Sequence, residues 1–261
     1  MAQFVGILPA AGVASRLRPF RYPKELLPVV YVSDSSSGGL RPKLTIEFSL
    51  SAMRAAGVRH NLVIIADWKL EIIRLLGDGE EHGVSLAYLH RAVPRGLADA
   101  VDAGFEWFLQ RNVCLALPDS LFTPVDAVAQ VRNALDPDRF DLILGVFPTK
   151  HPEKLGPVRM TPSESGPARV LEVQEKPEQS EIFNTWGIAA WSPVFSEFLH
   201  QALANCETEE VRKQSIGRVF DAAVKAGLRV GAVYFPNGSY TDLGMADSIA
   251  SLILPSAGGN E

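Results

Sequence analysis

At 261 residues and 28.4 kDa, with 47% hydrophobic and 21% charged residues, the chain carries enough apolar material for one large core, which excludes global disorder. A net charge of −5 and an isoelectric point near 5.6 leave no basic field for nucleic acid, so an anionic ligand has to be held by a few placed cations. The two cysteines, Cys114 and Cys206, stand far apart outside any CxxC pattern, which argues against a disulfide framework or a zinc site and for a reducing, cytoplasmic setting.

In chain order, Phe4–Leu8 is an apolar run that reads as a buried strand. The start of the chain has the length of a short signal core but no cationic segment before it, so a strand followed by a loop is the expectation. The Pro/Ala/Gly-rich stretch 9–23 cannot form a regular helix, and Ser33–Gly39 reads as a flexible surface loop. A helix is expected over Thr45–Ala56, closed by Gly57, then a strand over Asn61–Ile65 and an amphipathic helix over Trp68–Leu76. Val84–Leu89 is a strand, Leu97–Gln110 a helix and Val113–Leu117 another strand. Asp141–Phe147, Pro157–Thr161, Arg169–Glu175 and Ile188–Trp191 supply later strands, and helices over Val194–Ala204 and Glu209–Ala226 precede a strand over Arg229–Phe235. Buried strands alternating with helices predict an α/β fold, a single domain with a mostly parallel sheet flanked by helices. No apolar run approaches the ~20 residues of a membrane span. No linker divides the chain, and no repeat of a solenoid or β-helix period is visible.

The first strand runs into Pro9-Ala10-Ala11-Gly12-Val13-Ala14-Ser15-Arg16-Leu17, followed by Pro23-Lys24-Glu25-Leu26-Leu27-Pro28-Val29. Small residues after a buried strand let backbone N–H groups approach a ligand closely, and a concavity of amides suits phosphate. Arg16 and Lys24 supply fixed cations, Arg as a bidentate fork and Lys as a point charge. Alone, the segment also fits a tight turn bearing two solvated cations. Neither GxxxxGK(S/T) nor GxGxxG is present.

Together these residues resemble the amino-terminal signature of the sugar-1-phosphate nucleotidyltransferases, or nucleotide-sugar pyrophosphorylases, roughly (A/G)GxGTR(L/M)xP followed by PKxLLP. The form with Pro-Lys-Glu is most similar to the glucose-1-phosphate uridylyltransferase branch. Further matches follow in the family's order. Leu76-Gly77-Asp78-Gly79 precedes Gly83-Val84. Arg95-Gly96-Leu97-Ala98-Asp99-Ala100 resembles the base-binding GLA segment and also the RGTADA segment of ADP-glucose pyrophosphorylases. Leu117-Pro118-Asp119-Ser120-Leu121-Phe122 is similar to the metal-binding GDxxF element. Leu155-Gly156-Pro157-Val158, Glu175-Lys176-Pro177, Asn184-Thr185-Trp186-Gly187-Ile188 and Tyr240-Thr241-Asp242-Leu243-Gly244 resemble the sugar-site and second metal elements. The resemblance covers about Val5 to Ala250.

The resemblance implies a Rossmann-like fold, the nucleotide-diphospho-sugar transferase fold, with the nucleotide over residues of about 1–140 and the sugar over about 141–250. No counterpart of the carboxy-terminal β-helix of bifunctional relatives is seen. The implied reaction takes an NTP, with UTP or TTP favoured, and a sugar-1-phosphate such as glucose-1-phosphate, and gives an NDP-sugar and pyrophosphate. Arg16 is expected on the β/γ-phosphates, Lys24 at the reacting phosphate and Lys176 on the attacking phosphate. Ala10, Ala11, Gly12, Ala14, Ser15, Arg91, Gly96 and Leu97 are expected around the nucleotide, and Gly156, Glu175 and Gly187 around the sugar. The implied cofactor is Mg²⁺ on Asp119 and Asp242, a hard ion that takes a carboxylate or two and completes its shell with phosphate oxygens and water. Each Asp by itself also suits a turn or cap, and each of the two glycines an ordinary turn.

Three positions depart from the family pattern. Ala14 replaces the second glycine of GxG, Ser15 replaces the following Thr, and Arg91 stands where a related branch has a base-reading glutamine. Arg91, which only donates hydrogen bonds, either reads carbonyl oxygens of uracil or thymine or points to solvent. These departures motivate an alternative reading, a catalytically weak homologue that binds a sugar nucleotide and regulates a partner. No nucleic-acid or membrane partner is expected, and a homo-oligomer is left open.

Overall fold

The computed structural model describes residues 3–13, 22–33, 38–205, 215–244 and 246–253. The strands in chain order are β1 (Phe4–Pro9), β2 (Pro28–Ser33), β3 (Leu40–Leu44), β4 (His60–Ile65), β5 (Ser85–His90), β6 (Asn112–Ala116), β7 (Ser120–Thr123), β8 (Leu142–Pro148), β9 (Val158–Met160), β10 (Ala168–Val173), β11 (Asn184–Trp191), β12 (Val230–Tyr234) and β13 (Ser239–Asp242). The helices are α1 (Thr45–Ala55), α2 (Leu70–Leu76), α3 (Leu97–Asp102), α4 (Phe105–Phe108), α5 (Ala127–Ala134), α6 (Pro193–Ala204), α7 (Ile216–Lys225) and α8 (Ala246–Ile253). A nine-stranded sheet in the order β5-β4-β1-β6-β11-β8-β12-β10-β9 forms the centre. Only β10 and β11 run against its other strands. The mixed, mostly parallel α/β sheet is as the sequence predicts.

Because successive side chains on a strand point to opposite faces, an unbroken apolar strand feeds two helix layers at once. On β1, Ile7 joins the core beneath α3, α4, α6 and α7, and its neighbour Leu8 joins the core beneath α1 and α2. Likewise Val113 and Leu115 on β6 face the first layer, whereas Cys114 and Ala116 face α1 and α5. Burial of Val and Leu side chains at ~1.5–3 kcal/mol each is what holds the layers on the sheet.

β11 is the strand that breaks this pattern. Ala189 and Trp191 lie on the first face, and Ile188 and Ala190 on the second. Strict alternation would put Trp186 on the second face with Ile188. Its pairing with β8 slips between Trp186 and Ile188, a β-bulge at Gly187 that turns Trp186 onto the first face, edge-on to Phe220 at 5.1 Å. Being antiparallel to β6 and β8, β11 also begins where those strands end, with Asn184 opposite Pro148.

The structure departs from sequence expectation in several places. The expected helix over Leu97–Gln110 is two helices, α3 and α4, divided at Gly104, where a Cβ would lie 2.6 Å from Phe108 and 2.8 Å from Leu62. β11 starts at Asn184, ahead of the expected Ile188. β2 and β3 form an antiparallel hairpin around the Ser-rich loop, whose residues 34–37 lie outside the described residues. β7 and β13, four residues each, pair only with each other. No helix among the described residues is long and apolar enough to cross a membrane.

One ion pair ties β8 to β12 at their starts. Asp141 accepts from the Arg229 backbone N–H (2.9 Å) and from its guanidinium (2.6 and 3.2 Å), while the guanidinium also donates to the carbonyls of Asp138 and Pro137. Burial pushes the Asp141 carboxyl up, but these donors and the Arg229 charge outweigh it and hold the group below its ordinary value. A depressed carboxyl stabilises the fold above its unfolded pKa, and that contribution is lost as pH falls through the folded pKa. Asp141→Asn is expected to cost about 1–2 kcal/mol at neutral pH. Urea unfolding at several pH values checks this: the gap to the native protein should shrink as pH falls below about 4.

Candidate active site

A cleft of about 360 Å³ opens where β1 and β6 end and β11 begins. Ligands in open α/β sheets bind at the carboxyl ends of the strands, and the antiparallel β11 adds its own first residues to that edge. The floor is Ala11 and Gly12 after β1, Leu117 and Asp119 after β6, and Thr185 and Trp186 on β11. Gly96 and Leu97 at the start of α3 form one wall, and Gly156, Glu175 and Lys176 form the other. Gly96 holds φ +135, a conformation that side chains resist, so a glycine is required for the chain to enter α3 here.

Charge concentrates at one end. The antiparallel pairing of β7 with β13 sets Ser120 opposite Asp242, and Leu243 donates its N–H to the Asp119 carbonyl at 3.0 Å. Two carboxylates distant in sequence thus become neighbours. Lys24, on a single 3-10 turn over Lys24–Leu26, forms an ion pair with Asp119. Its ammonium and the Asp242 carboxylate both lie close to the point a Cβ on Gly244 would occupy, at 3.1 and 2.8 Å. Burial pulls the Lys24 pKa down, yet Asp119, Glu25 and Asp242 together hold it above its ordinary value. Tyr240, hydrogen-bonded to Ser120 at 2.9 Å, packs beneath the pair, and its phenol is raised well above the usual value by burial and then by Asp242 and Asp119.

The turn that carries Lys24 is anchored on both sides. Thr45, the first residue of α1, donates its N–H (3.0 Å) and hydroxyl (3.1 Å) to the Leu27 carbonyl. Glu25 points away from Lys24 into an ion pair with Lys69, and both side chains are 2% exposed. Burial raises the Glu25 carboxyl, and the Asp119 charge adds to that, while Lys69 draws it back.

The other end holds Glu175 and Lys176, whose charged groups are 3.6 Å apart. Lys176 has φ +44, the one non-glycine residue with positive φ among the described residues, and its N–H bonds the Leu155 carbonyl at 2.9 Å. Backbone strain of about 1–3 kcal/mol concentrates where a side chain must be aimed. Thr185 accepts the Gly156 N–H at 3.2 Å, and the buried Asn184 amide pairs with Val158 through both its groups at 2.8 and 3.0 Å, so the start of β11 locks this wall to β9.

The model of the nucleotidyl transferase family matches residues 5–254. The chain belongs to that family. Among curated relatives, the glucose-1-phosphate thymidylyltransferase of Neisseria meningitidis is 32% identical over 193 residues, which is 70% of this chain and 58% of the relative. The chain thus matches a little over half the length of such relatives. Among solved structures, a Bacillus anthracis protein assigned as a glucose-1-phosphate thymidylyltransferase, in complex with sucrose, superposes with TM-score 0.79 over 99% of this chain and 98% of that one. A UDP-glucose pyrophosphorylase complexed with UDP-glucose does so with TM-score 0.75, covering 97% of both chains. Both are 18% identical to this chain and so speak for the fold.

Against the family motifs, the cleft gathers Ala11, Gly12, Lys24, Gly96, Leu97, Asp119, Gly156, Glu175, Lys176 and Asp242. Arg16, Ala14 and Ser15 lie outside the described residues. Three expected residues do not line the cleft. Ala10 is fully buried in the core with Leu26 and Leu50. Arg91 grips Asp99 with two guanidinium nitrogens, and the same carboxylate accepts the Arg95 N–H at 3.3 Å. Gly187 is occupied by an aromatic neighbour, since a Cβ there would lie 2.4 Å from the Tyr240 ring. Gly156 similarly makes room for Trp186. The site also contains Glu25, Trp186 and Tyr240, which sequence reasoning did not assign. The signal for the last two was present, since both are bulky residues inside motifs of a ligand site. No cluster of three or more His, Cys, Asp or Glu suited to a metal occurs among the described residues.

The buried Lys69–Glu25 pair gives a stability test. Removing one partner strands the other charge in the core, so Lys69→Met is expected to cost about 3–5 kcal/mol. Adding Glu25→Leu should recover most of it, because a well-packed apolar pair avoids the desolvation of both ions. Chemical denaturation of the two variants measures this.

Proposed function

We propose that the protein joins the nucleotidyl group of an NTP to a sugar-1-phosphate, releasing pyrophosphate. The observation that carries this reading is the charge layout of one cleft: Lys24 between Asp119 and Asp242 at one end, Glu175 and Lys176 at the other. Two anionic reactants that must meet end to end need separate cationic anchors, and the two lysines stand on different walls. The sugar phosphate is ionised at neutral pH, so no base or covalent nucleophile is required. Consistent with that, the Cys114 thiol is buried and pushed up to about 12. Catalysis then rests on in-line positioning and on charge facing the reacting phosphorus.

In this reading Lys24 faces the reacting phosphate and Lys176, fixed by its strained backbone, holds the phosphate of the sugar. Arg16 is assigned to the outer phosphates of the triphosphate by family resemblance alone. Asp119 and Asp242 suit Mg²⁺: the pair already draws an ammonium to itself, and two carboxylates are the number such an ion takes when phosphate oxygens and water fill the remainder. Bound there, Mg²⁺ neutralises phosphate charge. With Arg91 committed to Asp99, base reading falls to backbone groups at Gly96–Ala98. The thymidylyl and UDP-glucose relatives favour UTP or TTP with glucose-1-phosphate.

Pyrophosphate release from a panel of NTPs and sugar-1-phosphates tests the reading, and silence with every pair would sink it. Asp119→Asn and Asp242→Asn should each lower kcat by at least about 100-fold. Lys176→Ala should chiefly raise KM for the sugar phosphate. Arg91→Ala should leave the order of preference among NTPs unchanged, as a residue turned away from the base requires; a scrambled order in kcat/KM would return Arg91 to the base site.

A further inference from the structure

Trp186 is placed with unusual care for a residue of no assigned role. The bulge at Gly187 turns it to the face opposite that dictated by strand alternation. Two glycines from separate segments make space for the indole nitrogen: a Cβ on Gly156 would lie 2.3 Å from it and one on Gly217 3.3 Å. Phe220 closes the ring edge-on. The indole is therefore fixed in one orientation, and it lines the cleft while keeping only 7% of its surface exposed.

Its N–H has no hydrogen-bond partner. The Trp186 main chain bonds Gly156 and Thr185, and no bond is made by Nε1. Among the described residues, the side-chain polar atoms that are sealed from solvent without a partner are Asn61 Oδ1 and Arg132 Nε, so the bare Trp186 N–H is open to the cleft. Beside it stands an acceptor. The Glu175 Oε2 lies 2.5 Å from the same Gly217 point that is 3.3 Å from the indole nitrogen. Indole N–H groups at such positions usually find a partner, and one that opens on a cleft without a protein acceptor is available to a bound molecule.

We propose that Trp186 and Glu175 clamp one free hydroxyl of the sugar, making Trp186 a specificity-determining residue. A hydroxyl both accepts and donates, so it takes the indole N–H on its oxygen and gives its own hydrogen to the carboxylate. A deoxy sugar leaves the indole unpaired. A sugar carrying an acylamino group at that carbon offers Glu175 an N–H but no lone pair for Trp186. The inference rests on the sugar-phosphate reading above and deepens it: the acceptor is a sugar-1-phosphate with an unmodified hydroxyl at that position.

The test uses the full chain, with glucose-1-phosphate and its monodeoxy analogues as probes, read both by pyrophosphate release and by tryptophan fluorescence on titration. In the native protein one analogue should bind at least about 10-fold more weakly than glucose-1-phosphate, because a site built around a hydroxyl rejects the molecule lacking it. Trp186→Phe keeps the ring and removes the N–H. It should raise KM for glucose-1-phosphate by about 3- to 10-fold, leave KM for NTP unchanged and erase the discrimination against that analogue. Trp186→His, which restores a ring N–H, should recover part of it. Equal binding of all analogues by the native protein overturns the proposal whether or not the variants fold. So does a Trp186→Phe protein with native KM and native discrimination. If no pair releases pyrophosphate, the transfer reading fails, and the fluorescence titrations with the sugar phosphates alone decide the clamp by the same comparisons.

Discussion

Two carboxylates held side by side at the edge of a core repel each other, and the cleft exists in its present form because Lys24 sits against them. Each element around the site can be followed back to that demand. β7 and β13 bring Asp119 and Asp242 together. The Lys24–Leu26 turn carries the neutralising charge, α1 fixes the turn through Thr45, and Lys69 fixes it through Glu25. Charges of alternating sign thus run inward from the cleft to the base of α2 as two ion pairs, Asp119 with Lys24 and Glu25 with Lys69. A low-dielectric surround strengthens every pair in such a row and penalises any gap in it.

The opposite end of the cleft uses backbone where this end uses charge. A strand running against its neighbours delivers Thr185 and Trp186 to the cleft as part of the sheet, beside the loop residues Gly156, Glu175 and Lys176. The bulge at Gly187 and the positive φ of Lys176 are local departures from regular geometry, and both aim a side chain. Sites on sheet strands hold their groups more closely than sites on loops.

The layers and most strands were legible because long apolar runs and their Gly stops encode them directly. Lys24, Asp119, Glu175 and Lys176 were legible through the family motifs they sit in, and the structure lines one cleft with them. How Asp119 and Asp242, which the family motifs assign to one ion, come to meet was not legible, since β7 and β13 are too short to show a period and their partnership is set by tertiary pairing. The side taken by Trp186 was hidden for a different reason: a period of two, applied faithfully, predicts the wrong face when one extra residue is inserted. Arg91, left between reading the base and pointing to solvent, pairs with Asp99, a partner that no local pattern in the sequence reveals. The break between α3 and α4 depends on how closely Gly104 approaches β4, which no local pattern records.

The sealed Glu25–Lys69 pair also bears on how this sequence can drift. Net stability of a domain is about 5–15 kcal/mol, so losing one member of a buried pair removes a large share of it. Lineages that change position 25 or 69 alone cross a deep valley, while those that change both can settle on an apolar pair at little cost. The two positions, 44 residues apart in the chain, should therefore vary together across relatives and be locked otherwise. Glu25 follows Lys24 directly in the chain, so a constraint that arises in the core restricts which residues can stand beside Lys24 in the cleft.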